Sequence, residues 1–250
     1  MSFNIQDSVA FVTGTNKPNG MGRAIVDALL SNGASKVYAT ARRLSQLDDL
    51  VAKSNGKVVA VELDVTDLEA VEKLADLYPD VTLVVNSAGF FDTSSSIGDI
   101  DAIKTEIAIN YLAPLAIGKS FSGVFAKASS KEPHVKRTAL VNMNSISSFV
   151  NFPIGEAYSA SKAAAHSLTQ AQRHDFKNTL VIGVYPGPID TDMAAGFEKD
   201  TVKAPPSAVA SAIIDALLKG TEDVFPDPMS VYVHEGWKKD AKAMELQMAM

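Results

Sequence analysis

Short, continuously apolar runs alternate with helix-like stretches along most of the chain. Residues 9–13, 36–39, 58–63, 82–85, 139–143 and 180–185 read as strands, with a weaker one near 223–225. Between them, helical patterns cover about 22–32, 44–53, 67–77, 100–128, 156–176 and 207–219. A strand with one face in water alternates apolar and polar side chains, and these runs do not. They predict strands buried on both faces, as in a parallel sheet covered by helices. Repeated strand–helix units then predict a doubly wound α/β fold, a parallel sheet of about seven strands in one domain spanning 1–250. Polar residues 129–138 read as a loop before the fifth strand. The charged tail from Val231 reads as a partly helical C-terminal extension, 231–250, anchored by Trp237, Met244, Leu246 and Met248.

Composition narrows the function classes. With 250 residues, 46% of them hydrophobic, the chain can bury a substantial core. No run of about 18 apolar residues occurs, so no membrane span is expected. The start, MSFNIQDS, has neither the basic nor the apolar segment of a secretory signal, so a cytoplasmic protein is expected. The absence of cysteine excludes disulfides and thiolate metal sites, and fits a reducing compartment. A net charge of −6 without a long basic run argues against a nucleic-acid partner. His134, His166, His174 and His234 lack ligand spacing, so no metal is expected.

Residues 13–22, TGTNKPNGMG, join the first strand to the first helix. Free amides and the helix dipole attract phosphate at such a turn, and glycines let the backbone come close. A plain surface turn is the competing reading; the strand before and the helix after favour a phosphate site. In EAYSASKAAAHSLTQ, Tyr158 and Lys162 lie four residues apart in an alanine-rich helix former, so they share a face. A nearby ammonium favours phenolate and brings a tyrosine toward proton transfer near neutral pH. Ser145 lies thirteen residues before Tyr158, just after the fifth strand, where strand ends meet a ligand crevice. Its hydroxyl there could hold a carbonyl oxygen while Tyr158 donates to it.

Taken together, these motifs resemble the short-chain dehydrogenase/reductase family over nearly the whole chain. The resemblance rests on Thr13, Gly14, Gly20, Met21 and Gly22; on Leu63, Asp64 and Val65; on NSAG at Asn86, Ser87, Ala88 and Gly89; on Asn110, Ser145, Tyr158 and Lys162; and on YPGPIDT from Tyr185 to Thr191. It implies a Rossmann fold and hydride transfer between a nicotinamide cofactor and a carbonyl or alcohol. By resemblance Tyr158 is the general acid/base, and Lys162 binds the nicotinamide ribose and lowers the Tyr158 pKa. Ser145 orients the substrate oxygen, and Asn110 helps hold a proton-relay water. Asp64 and Val65 fall at the adenine, Asn86, Ala88 and Gly89 beside the cofactor, and Pro186, Gly187, Ile189 and Thr191 by the nicotinamide. Gly14, Asn16, Lys17, Gly20, Met21 and Gly22 form the phosphate loop. Three departures stand out. Five residues rather than three separate Gly14 from Gly20, so Pro18 and Asn19 read as inserted. NNAG is NSAG here. Asn110 precedes Ser145 by thirty-five residues, an excess assigned to the 129–138 loop.

The second strand ends in Ala41, Arg42 and Arg43, where NAD-binding sites of this kind carry an acidic residue. A guanidinium there grips a 2′-phosphate, so NADP(H) is the expected cofactor, with Lys17 approaching the same phosphate. Phe90, Phe91, Ser147, Phe149, Phe152, Pro153 and Met193 are expected to face the substrate, which points to a small hydrophobic ketone or aldehyde. The alternatives are an NAD-dependent alcohol dehydrogenase and a non-catalytic dinucleotide-binding sensor or scaffold. The apolar content of 100–128 and 156–176 predicts a homodimer or homotetramer.

Overall fold

The structure, a computed structural model, describes residues 2–92, 99–127, 135–136, 138–153, 155–197 and 200–249. In chain order its strands are β1 (Ser2–Phe3), β2 (Val9–Val12), β3 (Lys36–Ala41), β4 (Val58–Glu62), β5 (Leu83–Asn86), β6 (Val135–Lys136), β7 (Thr138–Met143), β8 (Thr179–Val184) and β9 (Asp223–Val224). Its α-helices are α1 (Met21–Ser31), α2 (Asp48–Lys53), α3 (Leu68–Glu72), α4 (Leu74–Leu77), α5 (Ile100–Ile107), α6 (Ala113–Lys127), α7 (Glu156–Asp175), α8 (Pro206–Lys219), α9 (Pro228–Lys239) and α10 (Ala241–Met248). Seven strands form one parallel sheet in the order β4-β3-β2-β5-β7-β8-β9. This is a single-domain Rossmann-like fold.

The unbroken apolar runs have a direct cause. In β2, Ala10 and Val12 face one helical layer while Phe11 faces the other. The same division separates Leu83 and Val85 from Val84, Ala139 and Val141 from Leu140, and Leu180 and Ile182 from Val181. Successive side chains point to opposite faces, and both faces are covered, so every position is apolar. Helices α1 and α8 contribute to the first layer, and α6 contributes Ile117, Phe121 and Phe125 to the second. Each large side chain buried this way contributes roughly 1.5–3 kcal/mol. Strand order reverses between β2 and β5, which opens a crevice at their carboxyl ends.

The elements differ from expectation in five places. The helix expected over 100–128 is interrupted by a π-helical turn, Ala108–Leu112, closed by Ala113 N–H donating to Ala108 O. Pro114 accounts for a break here, since it has no N–H to give the Asn110 carbonyl and its ring crowds that carbonyl. Residues 67–77 form two short helices, α3 and α4, and 44–53 opens with the 3₁₀ turn Leu44–Leu47. Within the expected loop 129–138, β6 pairs with the unanticipated β1; residues 129–134 and 137 of that loop, and Ala128 before it, lie outside the described residues. Finally, the tail is two full helices that close over Ile146 and Val150 with Val233 and Met244 buried. Trp237 and Met248 pack beside them, whereas Leu246 is 58% exposed and anchors nothing. Among the described residues no helix is long and apolar enough to cross a membrane.

Candidate active site

The glycine loop is held at the crevice by contacts only glycine permits. Thr13 Oγ1 accepts the Ser87 and Ala88 amides, each at 3.0 Å, which draws the end of β2 against the end of β5. Gly14 has φ +71°, and a Cβ on it would lie 2.7 Å from Ala88 Cα. A Cβ on Gly22 would lie 2.4 Å from Gly14 O. Gly20 caps α1 without any side-chain hydrogen bond, so the amides of the first turn have no side-chain partner there. Gly20 N–H donates to Lys17 O at 2.9 Å, closing a turn that leaves Pro18 and Asn19 exposed. The two additional residues therefore project outward. Lys17 forms an ion pair with Asp192 at 2.9 Å, so its charge is directed across the loop toward the segment after Thr191.

Arg23, which drew no notice in the sequence, organises this end of the sheet. Its side chain is only 5% exposed. Nε donates to Thr15 O, Nη2 to Gln46 O at 2.6 Å, and both terminal nitrogens to the Asp49 carboxylate at 2.9 Å. The guanidinium thus ties the glycine loop to the turn after Arg42 and Arg43, and lowers the Asp49 pKa. A charge in the buried stripe of α1 was the available signal. Arg42 itself is exposed. It lies near Asp64, whose pKa is lowered first by hydrogen bonds from Thr66 and further by the Arg42 charge. Val65 is buried in the second helical layer.

Asn86 donates to Asn142 Oδ1 at 2.9 Å, and Asn142 in turn donates to Thr169 and Gln172 on α7. Asn86 Oδ1, Ser87 Oγ and Asn144 Oδ1 are buried without a hydrogen-bond partner among the described residues. All three sit at the carboxyl ends of β5 and β7. Buried oxygens of this kind leave acceptor capacity for a ligand or water.

Tyr158, Lys162 and Ser145 converge where α7 passes these strand ends. Burial pushes the Tyr158 phenol up to about 12, offset in part by its hydrogen bond with Ser145, while the Glu106 carboxyl adds to the rise. Lys162 is 3% exposed and donates to Met143 O at 2.7 Å. Its Nζ lies 5.6 Å from the Tyr158 ring centre, and burial lowers its pKa to about 8. The lowering of the Tyr158 pKa expected from Lys162 is therefore not found; burial dominates, and only Ser145 opposes it. Asn110 lies in the π-turn with its side chain engaged: Oδ1 accepts Phe90 N–H at 3.0 Å, and Nδ2 donates to Phe90 O and Ser161 Oγ.

A cavity of about 150 Å³ opens above Tyr158 and Ser145. Its walls are largely apolar, with Phe91, Phe152, Met193, Phe197 and Met229 prominent. Met21, Pro186, Gly187, Ile189 and Thr191 line it as well. Asp227, the N-cap of α9, accepts Gly187 N–H at 2.8 Å and so fixes this loop. Of the residues expected to face a substrate, Phe91, Ser147, Phe152 and Met193 line the cavity, while Phe90, Phe149 and Pro153 do not. Phe149 instead lies among Tyr185, His166, Phe225, His234 and Trp237. Phe197 and Met229 lie outside every motif, so only the folded chain brings them to the site.

The family model for short chain dehydrogenase matches residues 8–201. An uncharacterized oxidoreductase of Staphylococcus saprophyticus is 31% identical over 225 residues, covering 85% of this chain and 92% of that one. The crystal structure of a short chain dehydrogenase from Burkholderia cenocepacia in complex with NADP superposes with TM-score 0.87 at 31% identity, covering 99% of each chain. A short-chain dehydrogenase from Streptomyces avermitilis shares the fold at TM-score 0.80 and 24% identity, covering 95% of this chain and 94% of that one. The chain belongs to the short chain dehydrogenase family of oxidoreductases.

Proposed function

We propose that the protein is an NADP(H)-dependent carbonyl reductase acting on small hydrophobic ketones or aldehydes. The observation that carries this reading is that Tyr158 and Ser145 line one apolar cavity, with the buried Lys162 ammonium 5.6 Å from the Tyr158 ring centre. The residues fit a dinucleotide. The uncapped start of α1 and its glycines suit a pyrophosphate, the orphaned oxygens of Asn86 and Ser87 face the crevice end of β5, and exposed Arg42 suits a 2′-phosphate. The NADP held by the Burkholderia cenocepacia relative supports the same choice. When bound, the cofactor supplies the hydride.

The chain's own residues handle the oxygen. A phenol pKa far above neutrality keeps Tyr158 protonated, the form a general acid needs. Tyr158 gives its proton to the carbonyl oxygen as that oxygen becomes an alkoxide, a stronger base than the phenolate left behind. Ser145 donates a hydrogen bond to the same oxygen and fixes its direction. Lys162 is at once a ribose donor and the cation that stabilises the phenolate. In this reading Asn110 acts through its backbone. Pro114 cannot give that carbonyl the usual helical bond, which suits it to a relay water, while the Asn110 side chain fixes Phe90. Oxidation of NADPH against a panel of uncharged ketones and aldehydes tests the assignment. Turnover with conversion to the alcohol is expected, and no turnover across the panel would overturn it.

A further inference from the structure

Glu106 has no role in binding or orienting the substrate in this reading, yet its side chain is completely buried. Burying a carboxyl is unfavourable unless its hydrogen bonds are met, so its place calls for a reason. It precedes Asn110 by one helical turn, and both side chains reach one short segment. Glu106 Oε1 accepts Asp92 N–H at 2.9 Å, and Asn110 makes its two bonds to the Phe90 backbone. The backbone is therefore held on both sides of Phe91. The Phe91 ring meets Tyr158 edge-on, with centres 5.1 Å apart, and meets Phe197 the same way at 5.9 Å. Against its other side lies Gly155, where a Cβ would come within 2.4 Å of Phe91 Cε2. Phe91 is thus a cavity wall fixed through its backbone and its ring together.

We propose that Glu106 is a positioning residue for substrate selection: by holding Asp92 it sets the Phe91 wall against Tyr158, so the cavity accepts ketones with a single ring and rejects those with two bulky groups. The inference rests on the carbonyl-reductase reading and deepens it. The cavity of about 150 Å³ has the volume of one that binds benzene, and Pro186, Gly187, Ile189 and Thr191 of its lining also serve the nicotinamide, so room for a second ring depends on the Phe91 wall. Acetophenone and benzophenone are the probes, compared as the ratio of their kcat/KM values with NADPH saturating. The wild type should prefer acetophenone. Glu106→Gln keeps an acceptor for Asp92 N–H and should leave the ratio within about twofold of wild type. Glu106→Leu and Glu106→Ala both remove that acceptor, so loss of fold in one leaves the other to decide. Either should lower the ratio about tenfold, mainly through KM for benzophenone. Phe91→Ala should lower it at least as far, and adding Glu106→Leu to Phe91→Ala should change it no further. An unchanged ratio in the folded Leu or Ala variant, a Gln variant as affected as these, or additive effects with Phe91→Ala would each overturn the proposal. Calorimetric binding of the same ketones to the protein with NADP⁺ gives the ratio without turnover. A chain that reduces no ketone or aldehyde of the wider panel refutes the carbonyl-reductase reading, while the binding ratio still tests Glu106.

Discussion

Replacing Arg23 by leucine should cost the fold stability and loosen the cofactor loop together. The magnitude follows from what each partner does once the guanidinium is gone. The Asp49 side chain is 48% exposed and recovers its hydration, so its share is that of a surface pair, about 0–1 kcal/mol. Gln46 is partly exposed, and its carbonyl can turn to water. Thr15 is fully buried, and losing a donor to its carbonyl costs about 1–3 kcal/mol. Leucine recovers some apolar contact, leaving a net loss of about 2–3 kcal/mol. For a chain of this size that lowers Tm by roughly 4–12 °C. Scanning calorimetry of Arg23→Leu and Arg23→Lys checks it, with the lysine variant falling between leucine and wild type. NADPH affinity, read by fluorescence titration, should fall in Arg23→Leu because the loop has lost its tie to the turn following Arg42. Unchanged melting and unchanged affinity would refute the reasoning.

Arg42→Ala should reduce preference for NADPH over NADH about ten- to hundredfold, the equivalent of one charge-assisted contact, and parallel titrations with the two cofactors measure it. Lys17→Ala should have a smaller effect on this preference, since its charge is paired with Asp192. Burial lowers Lys162 from 10.5 to about 8, so between those values the unfolded chain holds a proton that the folded chain does not. The stability of the cofactor-free wild type should therefore rise with pH across that window. Lys162→Met should be more stable at pH 7, by at most about 3 kcal/mol, with the gain shrinking toward pH 10; melts at both pH values test the sign. Leu112 and Leu115 are more than a third exposed beside the π-turn, which suits a helix pairing between copies, so light scattering should give at least twice the 26.5 kDa of one chain.

The sheet was legible because its physics is local and repeated. Each strand is covered on both faces, so each reads as an apolar run between helical segments. The pairing of Tyr158 with Lys162 was legible for a related reason, since the two need only one helix to share a face. What escaped notice depends on tertiary partners. Arg23 and Glu106 look like ordinary helix charges until folding buries them against backbone groups distant in sequence. The π-turn had a signal in Pro114, but helical periodicity over 100–128 masks a single additional residue per turn. Phe149 looked like a substrate residue, and His234 and Trp237 of α9 draw it into a separate aromatic cluster. The tail looked like an appendage because its charges hide Val233, which together with the expected anchor Met244 seals it to Ile146 and Val150.

In the proposed mechanism the Tyr158 hydroxyl transfers the proton, while cofactor binding rests on other residues of the crevice. Tyr158→Phe removes that hydroxyl and little else. The measurement is single-turnover oxidation of NADPH by a ketone the wild type reduces, alongside NADPH affinity for both proteins. The account predicts a rate lower by about 10²–10⁴-fold with affinity nearly unchanged. A variant that keeps most of the wild-type rate, or one that loses turnover only because it no longer binds NADPH, would contradict it.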